Sequence, residues 1–504
     1  MSVLVLDFGS QYTRLIVRRL RELDALSVVL PGDVSIDRIR EAAPEAIILS
    51  GSPHSMSDSG SIRPASELFD LDLPMFGICY GFHLLVGHHG GSVQPSSVHE
   101  YGRTVLSEAR GSLFEGIGAG SQVWMSHADS VEALPPEWNP LAASHENPYV
   151  AAESPGGRLV GLQFHPEVTH TPIGPQLLER FLDRAGVTRD WTSEALVDRL
   201  LAETIDRVGA ARVLLGISGG VDSSALALLL TRAGVPHLGV FVDHGLLRAG
   251  EREQVSEALQ DAGVCLHVVD ARERFLGALH GVADPEEKRR IIGREFIGVF
   301  QDVAQSQGPF RFLAQGTLYP DVIESSGSES AANIKSHHNV GGLPETLGFE
   351  LVEPFRLLFK DEVRDVARLI GLSPQITDRH PFPGPGLAIR VLGEATAERV
   401  ELAREADRIF IDALRSSGWY DRVWQALAVL MPVRTVGVAG DERRYGYVVA
   451  LRAVTSVDGM TADWARLPYD LLEEISGRIT QEVPAIGRVV YDTTSKPPAT
   501  IEWE

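Results

Sequence analysis

The stretch that most constrains the fold of this chain is residues 212–224, an apolar run that ends in a glycine pair. Val213–Ile217 has the length and composition of a buried strand, and apolar residues at helical spacing begin at Ala225. The turn between them, residues 218–220, is Ser-Gly-Gly, and glycine lets the backbone fold closely around a ligand. Backbone N–H groups at a helix start face an anion, with the positive end of the helix dipole behind them. The stretch therefore predicts a strand, a tight turn and a helix that together bind phosphate.

The same stretch lacks the Gly-Lys-Ser/Thr that ends a Walker A loop, and it resembles instead the Ser-Gly-Gly-x-Asp-Ser signature of the ATP pyrophosphatase family. That resemblance implies cleavage of ATP between its α- and β-phosphates, with pyrophosphate held in the loop. It also implies Mg²⁺ bridging the phosphates, with Asp222 as its candidate protein ligand. For a glycine pair alone, the alternative is a turn that only packs. The residues assigned to ATP are Ser218, Gly219, Gly220, Val221, Asp222, Ser223 and Ser224.

Length, charge and cysteine content limit what surrounds this loop. A chain of 504 residues exceeds one core and predicts about three domains. The net charge of −22 repels nucleic acid and requires a local cluster of donors for any phosphate ligand. Two cysteines, Cys79 and Cys265, indicate no disulfide framework and predict a reducing, cytoplasmic location. Residues 3–6 suit a first strand rather than a signal peptide, and no apolar run reaches membrane-spanning length.

Residues 1–187 alternate strand-like and helical runs, which predicts an α/β domain with a mostly parallel sheet. Cys79 lies between glycines where an apolar strand meets a helix, a turn that pushes its side chain out of the sheet. His165 and Glu167 follow another strand, and two residues apart in extended chain their side chains leave on the same side. The carboxylate can hold the imidazole, which can then take the thiol proton. The alternative, when each residue is considered alone, is that Cys79 is a small buried core residue and His165 a loop histidine with its hydrogen bonds satisfied.

In their flanking sequences these residues resemble the Gly-x-Cys-x-Gly and Phe-His-Pro-Glu motifs of the class I glutamine amidotransferases. The resemblance implies that Cys79 attacks the side-chain amide of glutamine, with His165 as base and Glu167 orienting it. Gly51 and Tyr80 are the matching oxyanion-hole positions. Two departures stand out, Phe82-His83 in place of Met-Gln and Ser52 in place of glycine. The first is expected to change how the backbone end of glutamine is bound, and the second to restrict the oxyanion turn, because serine tolerates positive φ poorly.

Residues 188–379 alternate strands and helices again and predict a doubly wound parallel sheet around the loop at 218–224. Asp243 ends a strand at the expected ligand edge, where it contacts adenosine or caps a turn. Cys265 is predicted to be inert core. The loop 334–342 carries Lys335 and adjacent histidines that point different ways, so we expect a mobile cationic loop rather than a metal site. Lys288-Arg289-Arg290 is either a solvated charge run or an anion site.

Residues 380–504 begin with the proline-rich hinge 380–386 and predict a small α+β domain. With Lys-Pro-Pro-Ala-Thr-Ile-Glu-Trp-Glu at 496–504, the whole chain resembles the glutamine-hydrolysing GMP synthetase family. The resemblance implies glutamine, ATP and xanthosine 5′-monophosphate (XMP) as substrates. It also implies a dimerisation role for this domain and a homodimer. The acidic charge and the lack of a membrane-length apolar run predict neither nucleic acid nor a membrane as a partner. The residues assigned to XMP are Arg289, Gln425, Lys496, Ile501 and Glu502.

The implied reaction adenylylates the oxygen on C2 of xanthine, and ammonia released at Cys79 then displaces AMP. Free ammonia would be protonated in water, so we expect sheltered transfer and a glutaminase that is activated by ATP and XMP. Two alternatives remain open. NAD synthetase or a tRNA-thiolating enzyme would share the loop, although a tRNA partner requires a basic face. A catalytically silent glutamine sensor would not need Cys79, His165 and Glu167 together.

Overall fold

The computed structural model describes residues 2–326, 348–439, 442–456, 459 and 461–504, without the side chains of 96–99, 323–326 and 439. Within that part the chain forms two compact units, Met1–Ala195 and Leu196–Glu504. The predicted division of the second unit near residue 380 is not tested by this grouping and stays a prediction. The mixed α/β class with parallel sheets is confirmed.

The first unit is built on an eight-stranded sheet with the order β2-β1-β3-β4-β10-β9-β8-β6, beside a two-stranded ribbon of β5 and β7. The five strands from β2 to β10 in that order run parallel. The apolar runs of β1, β3, β4 and β10 are buried on both faces, as expected for a covered parallel sheet, whereas the edge strand β2 is partly exposed. Its strands are β1 Val3–Asp7, β2 Ser27–Pro31, β3 Ala46–Leu49, β4 Met75–Ile78, β5 Ser92–Val105, β6 Glu108–Ala109, β7 Gln122–Ala133, β8 Asn139–Ala143, β9 Ala151–Glu153 and β10 Leu159–Leu162. Its helices are α1 Thr13–Arg21, α2 Ile36–Ala42, α3 Tyr80–His88 and α4 Gly174–Ala185, and α5 Ser193–Val208 runs into the second unit.

The second unit contains a five-stranded, fully parallel sheet with the order β13-β12-β11-β14-β15. The strand β11 that precedes the glycine turn is central, because an apolar run without polar alternation can be buried on both faces. Its strands are β11 Val213–Ile217, β12 His237–Asp243, β13 Leu266–Asp270, β14 Phe312–Ala314 and β15 Glu350–Val352. The helices between and after them are α6 Val221–Arg232, α7 Glu251–Asp261, α8 Arg272–Ala278, α9 Pro285–Gln307, α10 Tyr319–Ser326, α11 Lys360–Leu369 and α12 Pro374–Thr377.

A second, mixed sheet follows in the same unit, in which β17 pairs with β16, β18 and β19. Its elements are α13 Ala397–Ser416, β16 Gln425–Ala439, β17 Glu442–Thr455, β18 Asp463–Trp464, α14 Tyr469–Glu482 and β19 Ile486–Tyr491. Alternate residues of β16 face opposite sides, as the period of a strand requires. Ala428 and Leu430 pack with the helices, whereas Leu427 and Val429 pack with Ile501 of the C-terminal segment, residues 492–504.

The predicted hinge joins the two parts of this unit through a shared core. Leu387 N donates to the Leu246 carbonyl at 2.8 Å, and Leu387 belongs to the same apolar cluster as Val240 of β12 and Ile409 of α13. The central sheet and the C-terminal sheet therefore pack against common side chains.

The prediction that Cys265 is buried in a strand is wrong. Its side chain is exposed, and β13 begins one residue later, at Leu266. The reason is topological, because β13 is the edge strand of its sheet and its own residues are only half-buried. No described helix is both long and apolar enough to cross a membrane.

Candidate functional site

Three neighbouring parallel strands of the first unit end at one edge of the sheet. Leu49 of β3 pairs with Gly77 of β4, and Ile78 of β4 pairs with Leu162 of β10. Gly51, Cys79 and His165 follow these three strands within three residues of their ends, so sheet topology brings together residues from distant parts of the sequence. A Cβ atom placed on Gly51 would lie 3.2 Å from His165 Cε1 and 3.8 Å from Cys79 Cβ.

Cys79 occupies a sharp turn between β4 and α3. Its φ is +52°, a conformation that L-residues rarely adopt, and its backbone N–H donates to the Leu162 carbonyl at 2.7 Å. The turn is so tight that a Cβ on Gly81 would collide with the carbonyl of Leu49. Strain of this kind persists only where the surroundings enforce it, and here it presents the thiol at the strand edge.

His165 and Glu167 form a buried pair beside that thiol. His165 Nδ1 lies 2.7 Å from Glu167 Oε1, and the two side chains are 4% and 0% exposed. Burial by itself disfavours the imidazolium, but the carboxylate of Glu167 and the hydrogen-bonded Cys79 thiol outweigh it and raise the pKa of His165 well above its usual value. The arrangement favours transfer of a proton from sulfur to the ring.

A cleft of about 420 Å³ opens onto these groups. Cys79, His165 and Tyr80 line it together with Ser52 and Asp129. Tyr80 is the first residue of α3, where backbone N–H groups have no acceptor within the helix. The predicted oxyanion positions, Gly51 and Tyr80, therefore lie next to the thiol.

Ser52 and His83, two positions at which the chain differs from the amidotransferase motifs, have different structural consequences. The non-glycine residues with positive φ in the described chain are Asp24, Ala43, Cys79 and Glu137. Ser52 is not among them, so the expected strain of the oxyanion turn does not arise, and the Ser52 hydroxyl instead accepts a hydrogen bond from His54 N at 3.1 Å.

His83 leads to a contact that the sequence analysis missed. Its Nε2 lies 2.8 Å from Gln163 Oε1, and Gln163 Nε2 lies 3.8 Å from Cys79 Sγ. Burial lowers the pKa of His83 to about 4, so the ring is neutral near pH 7 and donates from Nε2 to the amide oxygen. The amide then presents its N–H groups to sulfur. No sequence signal linked residues 80 positions apart.

The glycine turn of the second unit is a compact cradle. Gly219 has φ +78°, and a Cβ there would lie 3.1 Å from Val255 and 3.6 Å from Arg379 Nη1. Ser218 N donates to the Ser223 hydroxyl at 3.1 Å. The turn leads directly into α6, whose first backbone N–H groups face the space beyond the strand ends.

Asp222 lies in the first turn of α6 with one carboxylate oxygen engaged. Lys360 Nζ is 3.5 Å from Oδ2, whereas Oδ1 is buried and has no hydrogen-bond partner among the described residues. Burial raises the pKa of Asp222, although Lys360 opposes that shift. A buried carboxylate oxygen without a partner suits a hard cation such as Mg²⁺. In the described chain no group of three or more His, Cys, Asp or Glu residues could hold a metal ion.

The other residues predicted to bind ATP lie at the same edge of the central sheet, except those that lie outside the described residues. The Asp243 carboxylate accepts from Gly245 N at 3.1 Å, which is the turn-capping alternative, and from Arg252 at 3.2 Å. Its contact with adenosine stays a prediction. Val221 begins α6, and the hydroxyl of the fully buried Ser224 has no hydrogen-bond partner among the described residues. Lys335 lies outside the described residues, as does the rest of its loop.

The residues predicted to bind XMP gather around the C-terminal segment. Gln425 Nε2 donates to Glu502 Oε1 at 2.6 Å, and the Ile501 carbonyl accepts from Arg452 at 2.9 Å. Lys496 Nζ donates to the Gly459 carbonyl at 2.9 Å. Arg390, which was not predicted from the sequence as a site residue, is fully buried. Its guanidinium donates to both carboxylate oxygens of Glu502, at 2.9 and 3.2 Å.

The three cations of the basic cluster 288–290 differ in exposure, from the fully buried Lys288 to Arg290, whose side chain is 69% exposed. Lys288 is fully buried and donates to Glu504 at 2.5 Å and to the carbonyls of Ala388 and Val391. Arg289 donates to the Glu504 carbonyl at 2.6 Å, and Arg290 pairs with Glu287 on α9. Lys288 and Arg289 are therefore held by the C-terminal segment, which folds back over the start of α9, whereas Arg290 has its partner within the helix.

Comparison with known proteins agrees with this geometry. The family model of the class-I glutamine amidotransferases matches residues 4–185, the part that carries the Cys79 turn and the His165–Glu167 pair, and it defines the class of the first unit. The model of the GMP synthase C-terminal domain matches residues 412–503. The chain belongs to the family of glutamine-hydrolysing GMP synthases.

Full-length relatives support that assignment. A glutamine-hydrolysing GMP synthase of Thermus thermophilus is 64% identical over 502 residues, and the match covers 100% of both chains. That of Thermomicrobium roseum is 52% identical, and the match covers 100% of this chain and 96% of the relative. Among solved structures, a glutamine amidotransferase from Thermotoga maritima is 19% identical, covers 37% of this chain and 97% of its own, and has a TM-score of 0.30.

Proposed function

We propose that this chain makes GMP from XMP, ATP and glutamine. The observation that carries the proposal is the presence, in one chain of this family, of two strand-end sites. One is the Cys79 turn beside His165 and Glu167, and the other is the 218–224 loop at the edge of the central sheet. The first is suited to releasing ammonia from an amide, and the second to holding pyrophosphate as ATP is cleaved.

In the first half of the reaction, Cys79 sulfur attacks the side-chain carbonyl carbon of glutamine. His165 takes the thiol proton and returns it to the leaving nitrogen, so that the C–N bond breaks and ammonia leaves a glutamyl thioester. Glu167 holds the imidazole through the 2.7 Å contact at Nδ1. Backbone N–H groups at Gly51 and Tyr80 would stabilise the oxyanion, and water then releases glutamate.

In the second half, the oxygen on C2 of XMP attacks the α-phosphorus of ATP, and pyrophosphate leaves into the 218–224 loop. Ammonia attacks C2 and expels AMP. The candidate contacts for XMP are Arg289, Gln425, Lys496, Ile501 and Glu502, of which Gln425 and Glu502 already touch each other. Mg²⁺ would neutralise the phosphate charge, and the buried Asp222 Oδ1 is the candidate protein ligand.

The assay that tests this proposal measures AMP, pyrophosphate and GMP with XMP, Mg-ATP and either glutamine or ammonium. We expect equimolar AMP and GMP from both nitrogen sources, and AMP formation that depends on XMP. Formation of ADP, or an equal rate of AMP formation without XMP, would contradict the proposal. Nicotinic acid adenine dinucleotide in place of XMP tests the NAD synthetase alternative.

Three further properties complete the proposal. A homodimer is supported by exposed apolar side chains on the β16–β17 hairpin, where Val436, Val438 and Tyr445 are 50%, 77% and 64% exposed. A cytoplasmic location is supported by two cysteines that form no disulfide. The net charge of −22 argues against nucleic acid as a partner.

Replacing Glu167 by glutamine should strongly lower the rate of glutamine hydrolysis. The neutral amide removes the negative charge that raises the pKa of His165, so the imidazolium loses its main stabilising partner. We expect kcat for glutamine hydrolysis to fall by about 10²–10⁴-fold with little change in KM. Glutamate release measures this, and Glu179→Gln on the exposed face of α4 is the matched control. A kcat near that of wild type would remove Glu167 from the mechanism.

Replacing Gln163 by leucine should lower kcat for glutamine hydrolysis by about tenfold, since a hydrogen bond to the reacting sulfur would be lost. His83→Leu should have a similar effect, because the amide of Gln163 loses its orienting donor. His83→Gln restores a side-chain donor and should recover most of the activity. If His83→Leu and His83→Gln behave alike, His83 does not position Gln163.

A further inference from the structure

A continuous row of buried polar contacts starts at the phosphate loop of the second unit. Arg379 Nη1 donates to the Gly219 carbonyl at 3.0 Å, and Arg379 Nη2 lies 2.5 Å from Glu251 Oε1. The side chains of Arg379 and Glu251 are 14% and 2% exposed. The loop backbone is therefore held by a cation whose own position depends on a buried carboxylate.

The row continues from Glu251 through helix α13. Glu251 Oε2 accepts from Arg248 N at 2.9 Å, and Arg248 Nε lies 3.5 Å from Asp407 Oδ2. The other oxygen of Asp407, Oδ1, lies 3.3 Å from Arg390 Nη1. Asp407 is thus a single carboxylate between two buried guanidinium groups.

The far end of the row is the C-terminal segment. Arg390 binds both oxygens of Glu502, and Gln425 also donates to Oε1. Phe382 of the proline-rich stretch lies beneath both guanidinium groups, 4.6 Å from Arg248 Cζ and 4.9 Å from Arg390 Cζ. The row thus joins the loop that would hold pyrophosphate to a carboxylate that would contact XMP.

The charged residues alternate in sign along the row, in the order Arg379, Glu251, Arg248, Asp407, Arg390 and Glu502. Four of the five links join side chains, whereas Glu251 contacts the backbone N–H of Arg248 and acts on its guanidinium through charge alone. Buried charges are stable only while their partners remain in place, so a change at one member is felt by the next. Burial lowers the pKa of Arg248, whereas Glu502 and Asp407 raise the pKa of Arg390 despite its burial. Arg248 is the less completely paired of the two in geometry, because neither its Nε nor its Nη2 has a hydrogen-bond partner among the described residues, whereas Arg390 donates to Glu502 and to Asp407.

We propose that this row couples the two ligand sites, with Asp407 and Arg379 as positioning residues for the phosphate loop. The inference rests on the proposed function, because it takes Glu502 as a contact for the purine nucleotide. Hydrogen-bond donors of the bound nucleotide compete for the Glu502 carboxylate and weaken its ion pair with Arg390. Arg390 then binds Asp407 more strongly. Asp407 in turn releases Arg248 toward Glu251, and Arg379 is left to bind the Gly219 carbonyl more firmly. Nucleotide binding thus orders the loop and tightens ATP binding.

The test measures equilibrium binding of Mg²⁺ with α,β-methylene ATP, which cannot be cleaved at the loop, in the presence and absence of XMP, using the full chain. In wild type we expect XMP to lower the Kd of the analogue by about 5- to 150-fold, and by reciprocity the analogue to tighten XMP equally. Asp407→Asn should reduce this factor to below about twofold. Asp412→Asn, which removes an exposed charge from the same helix, should keep the wild-type factor.

A wild-type coupling factor in Asp407→Asn would overturn the inference. If that variant has no cooperative thermal unfolding transition, Arg379→Lys decides instead, because lysine keeps the charge but cannot reach Gly219 and Glu251 as one planar fork. Unchanged coupling in Arg379→Lys would then be the contradicting result. Wild-type protein that binds both ligands without coupling refutes the inference alone, whereas failure to bind XMP or the ATP analogue refutes the proposed function.

Discussion

Cys79→Ala is expected to abolish glutamine-dependent GMP formation while ammonium-dependent GMP formation continues at the wild-type rate. The thiol sulfur is the proposed nucleophile, and Cys79 is the single residue between the end of β4 and the start of α3. Loss of a nucleophile of this kind costs about 10⁴-fold or more in kcat. The residues proposed for the synthetase half lie in the other compact unit, and in this assay ammonia is supplied from solution.

The chain supplies its own control for this variant. Cys265, the other cysteine, is exposed and precedes the edge strand β13, so Cys265→Ala should leave both activities unchanged. Treatment with iodoacetamide should likewise inactivate the Cys265→Ala protein toward glutamine but not toward ammonium. Loss of ammonium-dependent synthesis in a folded Cys79→Ala protein would show that the two activities are not divided as proposed.

The second large effect is expected for Asp222→Asn, which should remove GMP formation from glutamine and from ammonium alike. The amide keeps an oxygen but loses the negative charge of the buried carboxylate that is proposed to hold Mg²⁺ on the ATP phosphates, so it would bind the cation much more weakly. We expect AMP formation to fall by at least about 10²-fold. Because Lys360 would lose its charged partner, the thermal unfolding midpoint of each variant should be measured beside the activity.

Asp321→Asn is a suitable comparison, since this carboxylate also lies near Asp222 and contributes to the charge around it. If Asp321→Asn lowers AMP formation less than Asp222→Asn does, Asp222 acts as a specific ligand and not only through the negative charge of the site. If Asp222→Asn keeps ammonium-dependent synthesis within about threefold of wild type, the metal assignment is wrong and the 218–224 loop holds phosphate without it.

The sequence predicted local chemistry well where a short segment contains both the turn and the reacting group. The strand, glycine turn and helix around 218–224 form as expected, and so does the Cys79 turn beside the His165–Glu167 pair. These features follow from backbone geometry over a short stretch of chain, where glycine and side-chain alternation leave few alternatives.

Predictions that depended on which surface covers a residue succeeded less often. Cys265 was expected in the core, but its strand lies at the edge of the sheet. Lys288 was expected in a solvated or anion-binding cluster, but the C-terminal segment covers it and supplies Glu504. Burial of this kind depends on strand order and on segments far away along the chain, which composition does not encode.

By itself, the sequence determined the two reactive turns and the apolar strands that end in them, because each is specified by contiguous residues. Tertiary structure decided which distant charges and polar groups became partners. His83 contacts Gln163, 80 positions away, and the fully buried Arg390 contacts Asp407 and Glu502. These pairs depend on packing that excludes water, since exposed charges of either sign are solvated and gain little from one particular partner.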